Sequence, residues 1–92
     1  MVLVKYEACC PFCKTLHKGE IEMKYRKDNK FNVRYNNKND HLCDNETCKK
    51  TFTVEIDCVG NVVAIPTKDA IKEGEFQWEK LVEGKIVKTI NN

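Results

Sequence analysis

Two cysteine pairs constrain this chain more than any other feature. Cys10-Pro11-Phe12-Cys13 is a CxxC pair, and twenty-nine residues later Cys43-Asp44-Asn45-Glu46-Thr47-Cys48 is a Cx4C pair. A loop of two to four residues lets both thiolates of a pair point at one ion. Two such loops complete a tetrahedral site with metal–sulfur distances of about 2.3 Å. The need for such a site follows from size. A chain of 92 residues buries too little surface for a robust core and needs disulfides, a metal or a partner as a staple. A structural metal contributes folding free energy directly, on the order of 10 kcal/mol or more.

The start, Met1-Val2-Leu3-Val4-Lys5-Tyr6-Glu7, lacks the basic region and the ~7–15-residue apolar run of a secretory signal. A reducing cytoplasmic location is therefore expected, where six cysteines point to metal or redox chemistry before disulfides. No apolar run approaches the ~18 residues of a membrane span, and no membrane partner is expected. With 33% charged and 41% hydrophobic residues, the sequence reads as one soluble globular domain over residues 1–92. The formal charge of +2 names no partner by itself. Lysine outnumbers arginine 14 to 2 and asparagine occurs nine times, the bias of an AT-rich coding sequence such as that of a low-GC bacterium or its phage.

Period-2 alternation dominates the rest. Residues 2–8 read as a short strand with Leu3, Val4, Tyr6 and Ala8 available for burial. Ile21, Met23 and Tyr25 alternate with charged residues, Asp28-Asn29-Lys30 is a turn candidate, and Phe31, Val33 and Tyr35 continue the alternation. Residues 20–36 are thus expected to form a β-hairpin. Phe52, Val54, Ile56 and Cys58 mark the clearest strand; Gly60-Asn61 is a hairpin turn into Val62–Ile65, which Pro66 ends. Beyond residue 66 two readings stay open. Asp69 can cap a short helix through Glu73, or Glu83-Gly84 can turn a hairpin joining residues 76–82 to residues 85–90, with Glu79 opposite Lys88. The β-branched Ile86, Val87, Thr89 and Ile90 favour the hairpin.

Over about residues 6–57 the chain resembles the zinc-ribbon family. The carrying residues are Ala8-Cys9-Cys10-Pro11-Phe12-Cys13-Lys14, the strand His17–Arg26, and Cys43 to Cys48 running into Lys49-Lys50-Thr51-Phe52-Thr53-Val54. Family members show a Cys-Pro-x-Cys-Gly knuckle, a hairpin, and a second knuckle leading into a Phe-x-Val strand. The resemblance implies a mostly β, small zinc-ribbon-like domain of antiparallel hairpins, with residues 58–92 as a C-terminal β extension. It also implies Zn2+ held by Cys10, Cys13, Cys43 and Cys48. Lys14 stands where the family usually has glycine, a place that calls for positive φ. The second knuckle has a four-residue spacer where two is usual.

Other residues compete for these roles. Cys9 can replace Cys10 with Cx3C spacing, and His41 can replace Cys43 or Cys48, since imidazole is an ordinary zinc ligand. Cys58 shares the apolar face of Phe52, Val54 and Ile56, and His17 is expected to be partly exposed. Val2–Ala8 followed by Cys10-Pro11-Phe12-Cys13 also resembles the start of a glutaredoxin. There the motif would open a helix and activate Cys10 for thiol–disulfide exchange. The alternation over residues 18–26 argues against that helix, and Cys43 and Cys48 would have no role in it. No other catalytic constellation stands out, so a non-catalytic binding module is expected, its zinc saturated by four thiolates.

Function must then come from surfaces. Lys24–Lys38 holds Lys24, Arg26, Lys27, Lys30, Arg34 and Lys38 against Asp28 alone, a local charge of +5. Tyr25, Phe31 and Tyr35 are interleaved, and Asn29, Asn32, Asn36, Asn37 and Asn39 supply amides. Cations that neutralise phosphates and aromatics that stack on bases make DNA or RNA the expected partner. The resemblance implies a small regulator that contacts nucleic acid or the transcription machinery; the rival expectation is a protein partner, with the chain an adaptor or inhibitor that docks on a larger host enzyme through Phe76 and Trp78. Either a monomer or a homodimer fits.

Overall fold

The computed structural model describes residues 1–67 and 81–91, and their regular structure is all β, in seven strands. β1 (Val2–Cys9) alternates strictly, with Val2, Val4, Tyr6 and Ala8 buried and the intervening residues half-buried. It is the centre of a three-stranded antiparallel sheet, flanked by β2 (Leu16–Met23) and β7 (Lys85–Asn91). The second sheet is antiparallel in the order β3 (Lys38–Leu42), β4 (Thr51–Ile56), β5 (Val62–Pro66) and β6 (Val82–Glu83). The inward residues of β1, with Ile21 and Met23 of β2, form one core with Phe52, Val54 and Ile56 of β4 and Val62 and Ala64 of β5. Alternation in four strands thus supplies two apolar faces, each useless without the other. No helix among the described residues is long and apolar enough to cross a membrane.

Of the expected hairpin over residues 20–36 only the tip, residues 24–32, forms. β2 ends at Met23 and pairs with β1, Val4 opposite Ile21 and Tyr6 opposite Gly19. At that tip Tyr25 bridges Phe31, the Arg26 N–H donates to the Lys30 carbonyl at 2.6 Å and the Asn32 N–H to the Lys24 carbonyl at 2.7 Å, whereas Val33 and Tyr35 are exposed. β1 outcompetes residues 31–35 as a partner because its inner face is wholly apolar and the chain between it and β2 is a short turn. Phe31 is instead anchored to the second sheet, its N–H bonding the Cys58 carbonyl at 2.9 Å.

The turn at Gly60-Asn61 forms as expected. Asp57 organises it, its carboxylate accepting the Val59 and Asn61 N–H groups at 3.0 and 2.8 Å. The expected turn at Glu83-Gly84 is a sheet switch rather than a hairpin. Val82–Glu83 pairs with β5, whereas Lys85–Asn91 pairs with β1. Residues 76–80, with Glu79, and the alternative helix over 69–73 lie outside the described residues. Gly84 is where the chain passes between sheets. A Cβ there would collide with the Glu7 carbonyl oxygen and stand 3.0 Å from Val62 Cγ1.

β2 leaves the first cysteine turn and β3 returns to the second, so both turns sit at one end of the sandwich and the 24–37 connection at the other. Gly84→Ala is expected to lower stability by about 1–3 kcal/mol, the usual penalty for overpacking against backbone. Urea denaturation followed by tryptophan fluorescence and circular dichroism measures it.

Candidate metal centre

Each cysteine pair lies on a turn that closes a strand pair. In the first, between β1 and β2, the Cys10 N–H donates to the Thr15 carbonyl at 2.9 Å and the Lys14 N–H to the Cys10 carbonyl at 2.8 Å. In the second, between β3 and β4, the Cys43 N–H donates to the Lys50 carbonyl at 3.0 Å and the Lys49 N–H to the Asn45 carbonyl at 3.1 Å. Lys14 has φ of 67° and Lys49 of 54°. Asn45–Lys49 therefore repeats the turn of Cys10–Lys14, with Asn45 in the place of the first cysteine and Cys43 set two residues back. The four-residue spacer follows from that displacement, and both lysines occupy the left-handed position that favours glycine.

The turns face one another and bring together the four expected cysteines. Their sulfurs all lie within 4.8 Å of each other; Cys10 Sγ is 3.7 Å from Cys48 Sγ and Cys13 Sγ 3.5 Å from Cys43 Sγ. A disulfide requires about 2.05 Å, and all six cysteines are free. Four thiolates at about 2.3 Å from one tetrahedral ion stand about 3.8 Å apart. The cluster has that size and can hold a metal ion. Cys10 and Cys43 are fully buried, whereas Cys13 and Cys48 are partly exposed.

Electrostatics within the cluster is uneven. The Thr15 hydroxyl, 3.1 Å from Cys13 Sγ, and the Thr15 amide hold the Cys13 thiol down at about 6. Burial pushes Cys43 up to about 12, against the Asn45 amide. Burial also raises Cys10, opposed by the amides of Cys13 and Phe12. Four adjacent thiolates repel one another, and only a cation can hold them ionised together. The Asn45 side chain ties the turns: Nδ2 donates to Thr15 Oγ1 at 3.1 Å, while Oδ1 accepts the Thr47 N–H and hydroxyl at 3.1 and 2.8 Å. Since Thr15 Oγ1 accepts from Asn45, its own proton is free for Cys13.

The competing ligands are placed elsewhere. Cys9 and Cys58 are not in the cluster. His41 is engaged by Tyr6, whose hydroxyl receives Asn39 Nδ2 at 3.0 Å and shares a hydrogen bond with His41 Nε2 at 2.6 Å. Burial and the adjacent His17 hold His41 below the usual imidazole range. His17, expected to be partly exposed, packs edge-on to Phe52 and is mostly buried. The segment after Cys13 is strand β2, so the helix that a glutaredoxin motif opens is absent there.

At the opposite end, Lys24, Arg26, Lys27, Lys30 and Arg34 are exposed on one connection. Tyr25 stacks on Phe31 at 5.3 Å and 14°, and Lys24 Nζ lies 4.2 Å over the Tyr35 ring. Arg26 bonds Asp28 at 2.9 Å, and a depression of about 380 Å³ is lined by Arg26, Asn32, Val33 and Arg34. Lys38 is apart from this group, on β3, paired with Glu55 at 3.1 Å. Three of the five asparagines bond within the fold through their side-chain amides. Asn36 donates to the Glu22 carbonyl, Asn37 to the Ile56 carbonyl, and Asn39 to Tyr6 and the Glu20 carbonyl. Phe76 and Trp78, the expected protein-binding anchors, lie outside the described residues.

The chain matches no family model, no curated protein and no solved structure. Thr15, Asn45 and Lys49 were not singled out in the sequence. The signals were a hydroxyl two residues after Cys13 and an Asn-x-Thr turn inside the second spacer.

Two outcomes follow. Thr15→Val removes the hydroxyl at Cys13 and is expected to weaken metal affinity about 10–100-fold, the usual effect of losing a partner of a ligand; competition with a chromogenic chelator measures it. Lys49→Gly relieves a left-handed lysine and is expected to stabilise the folded chain by roughly 0.5–1 kcal/mol, whereas Lys49→Val destabilises it; thermal denaturation separates the two.

Proposed function

We propose that this chain is a non-catalytic, zinc-ribbon-like binding module that contacts nucleic acid through the connection between β2 and β3. The ion is zinc, which four cysteines in a tetrahedral arrangement hold in structural sites. Four thiolates fill its coordination sphere and leave no position for substrate, so its part is to fix the two turns. A centre of four thiolates and one divalent ion carries about −2, which the flanking Lys14, Lys49 and Lys50 offset.

The single observation that carries the reading is the segregation of charge and aromatic surface to the other end. The connection over residues 24–37 holds five cations against Asp28, a net charge of +4 in a chain of +2. Tyr25 and Tyr35 are 46% and 48% exposed beside those cations, so ring faces and charges are presented together. Phosphates release counterions to such cations, and bases stack on such rings. Eight residues of β2 at about 3.3 Å each place this surface about 25 Å from the sulfurs. The chain would act as a small cytoplasmic regulator, of the kind a phage or its host encodes.

The test is titration of the metal-loaded chain into a labelled single-stranded oligonucleotide over a range of salt. Binding is expected to weaken with salt. The triple variant Lys27→Glu, Lys30→Glu, Arg34→Glu is expected to flatten the log–log slope by about two units, at 0.7 per phosphate contact, with metal content unchanged. No binding at low salt to single- or double-stranded DNA or RNA contradicts the proposal.

A further inference from the structure

Among the described residues, one buried side-chain polar atom has no hydrogen-bond partner: Nε2 of His17. The ring is fixed in place, 5.1 Å from Phe52 and 6.0 Å from His41 between centroids. Nε2 points towards the second cysteine turn, 4.0 Å from Asp44 Oδ1, which is beyond hydrogen-bond length. Cys43 Sγ completes a triangle, and the three atoms lie within 4.8 Å of one another. A desolvated polar atom left without a partner costs about 1–3 kcal/mol, and in a native protein it calls for a water or an ion.

The donor set decides between these. With the ring proton on Nδ1, the imidazole Nε2, the carboxylate oxygen and the thiolate sulfur all offer lone pairs. A water has two protons for three acceptors, whereas a cation engages all three at once. The set mixes nitrogen, oxygen and sulfur, which suits a borderline-soft divalent ion. We propose that His17 Nε2, Asp44 Oδ1 and Cys43 Sγ form a second divalent-metal site, in which the Cys43 thiolate bridges its ion to that of the four-cysteine centre. This rests on the zinc reading above, which makes Cys43 a thiolate with lone pairs to share.

The geometry needs little adjustment. Nitrogen and oxygen ligands about 2.0–2.2 Å from one tetrahedral ion stand about 3.4 Å apart. The Asp44 side chain is 87% exposed and can close that gap by rotation. The second ion also offsets the negative charge of the first centre. Three protein donors leave a fourth position on the solvent side, next to Asp44, open to water or an external ligand. The first site is closed and the second exchangeable, so occupancy of the second follows the free metal concentration.

The experiment is metal titration of the full chain, with Zn2+ read by native mass spectrometry and 113Cd2+ by NMR. The expected result is a second, weaker ion after the first, with two cadmium resonances split by coupling through the shared sulfur. His17→Gln and, because His17 also packs on Phe52, the exposed Asp44→Ala are each expected to weaken only the second ion. The loss should exceed the ~10–100-fold typical of removing a ligand's partner. Saturation at one ion overturns the proposal. So does a second ion indifferent to both variants. Loss of the first ion in His17→Gln also overturns it, since His17 would then be a hydrogen-bond donor to Cys43. A chain that takes up no ion overturns the zinc reading as well, which separates the two failures.

Discussion

The convergence of four cysteine sulfurs from two sheets is the constraint on which the rest of the structure depends. Cys10 and Cys13 belong to the turn of one sheet and Cys43 and Cys48 to that of the other. Each sheet has a single apolar face, and a core of this size is marginal alone. An ion held by all four sulfurs would tie the sheets at one end, beside the Asn45–Thr15–Cys13 chain of contacts and the Tyr6–His41 bond. The other end closes without a metal, by packing and by hydrogen bonds such as those from the Phe31 N–H to the Cys58 carbonyl and from Asn37 to the Ile56 carbonyl. One end is thus suited to rigidity and the other to presenting side chains.

Much of this was legible in the sequence for local reasons. Strict alternation gave β4, an apolar start gave β1, and the Gly60-Asn61 turn before an apolar run gave β5. The CxxC and Cx4C spacings gave the sulfur cluster, because short loops restrict where two thiols can point. The β2 partner was misread, since Ile21, Met23 and Tyr25 alternate equally well towards either neighbour. Only the competition between β1 and residues 31–35 decides, and that is a tertiary matter. The role of Gly84 was hidden for the same reason. A turn dipeptide and a crossing between sheets look alike until the Glu7 carbonyl is seen beside it.

The asparagines show how composition can mislead. Read as amides for a partner, Asn36, Asn37 and Asn39 instead cap carbonyls and fix Tyr6. A polar run between strands must satisfy its own backbone and its neighbours' first. What that loop leaves over for a partner is its cations and the outer faces of Tyr25 and Tyr35. His17 is the reverse case: a residue that looked incidental holds the one unpartnered buried atom among those described.

The central claim is that four thiolates on one ion hold this fold. Native mass spectrometry of freshly purified, untagged, reduced chain, combined with thiol alkylation before and after chelation, tests it most directly. The account predicts a bound zinc ion with four of six thiols shielded until the metal is removed, and loss of the β fold on removal. A folded monomer with no ion, its thiols free or joined in disulfides, would contradict it.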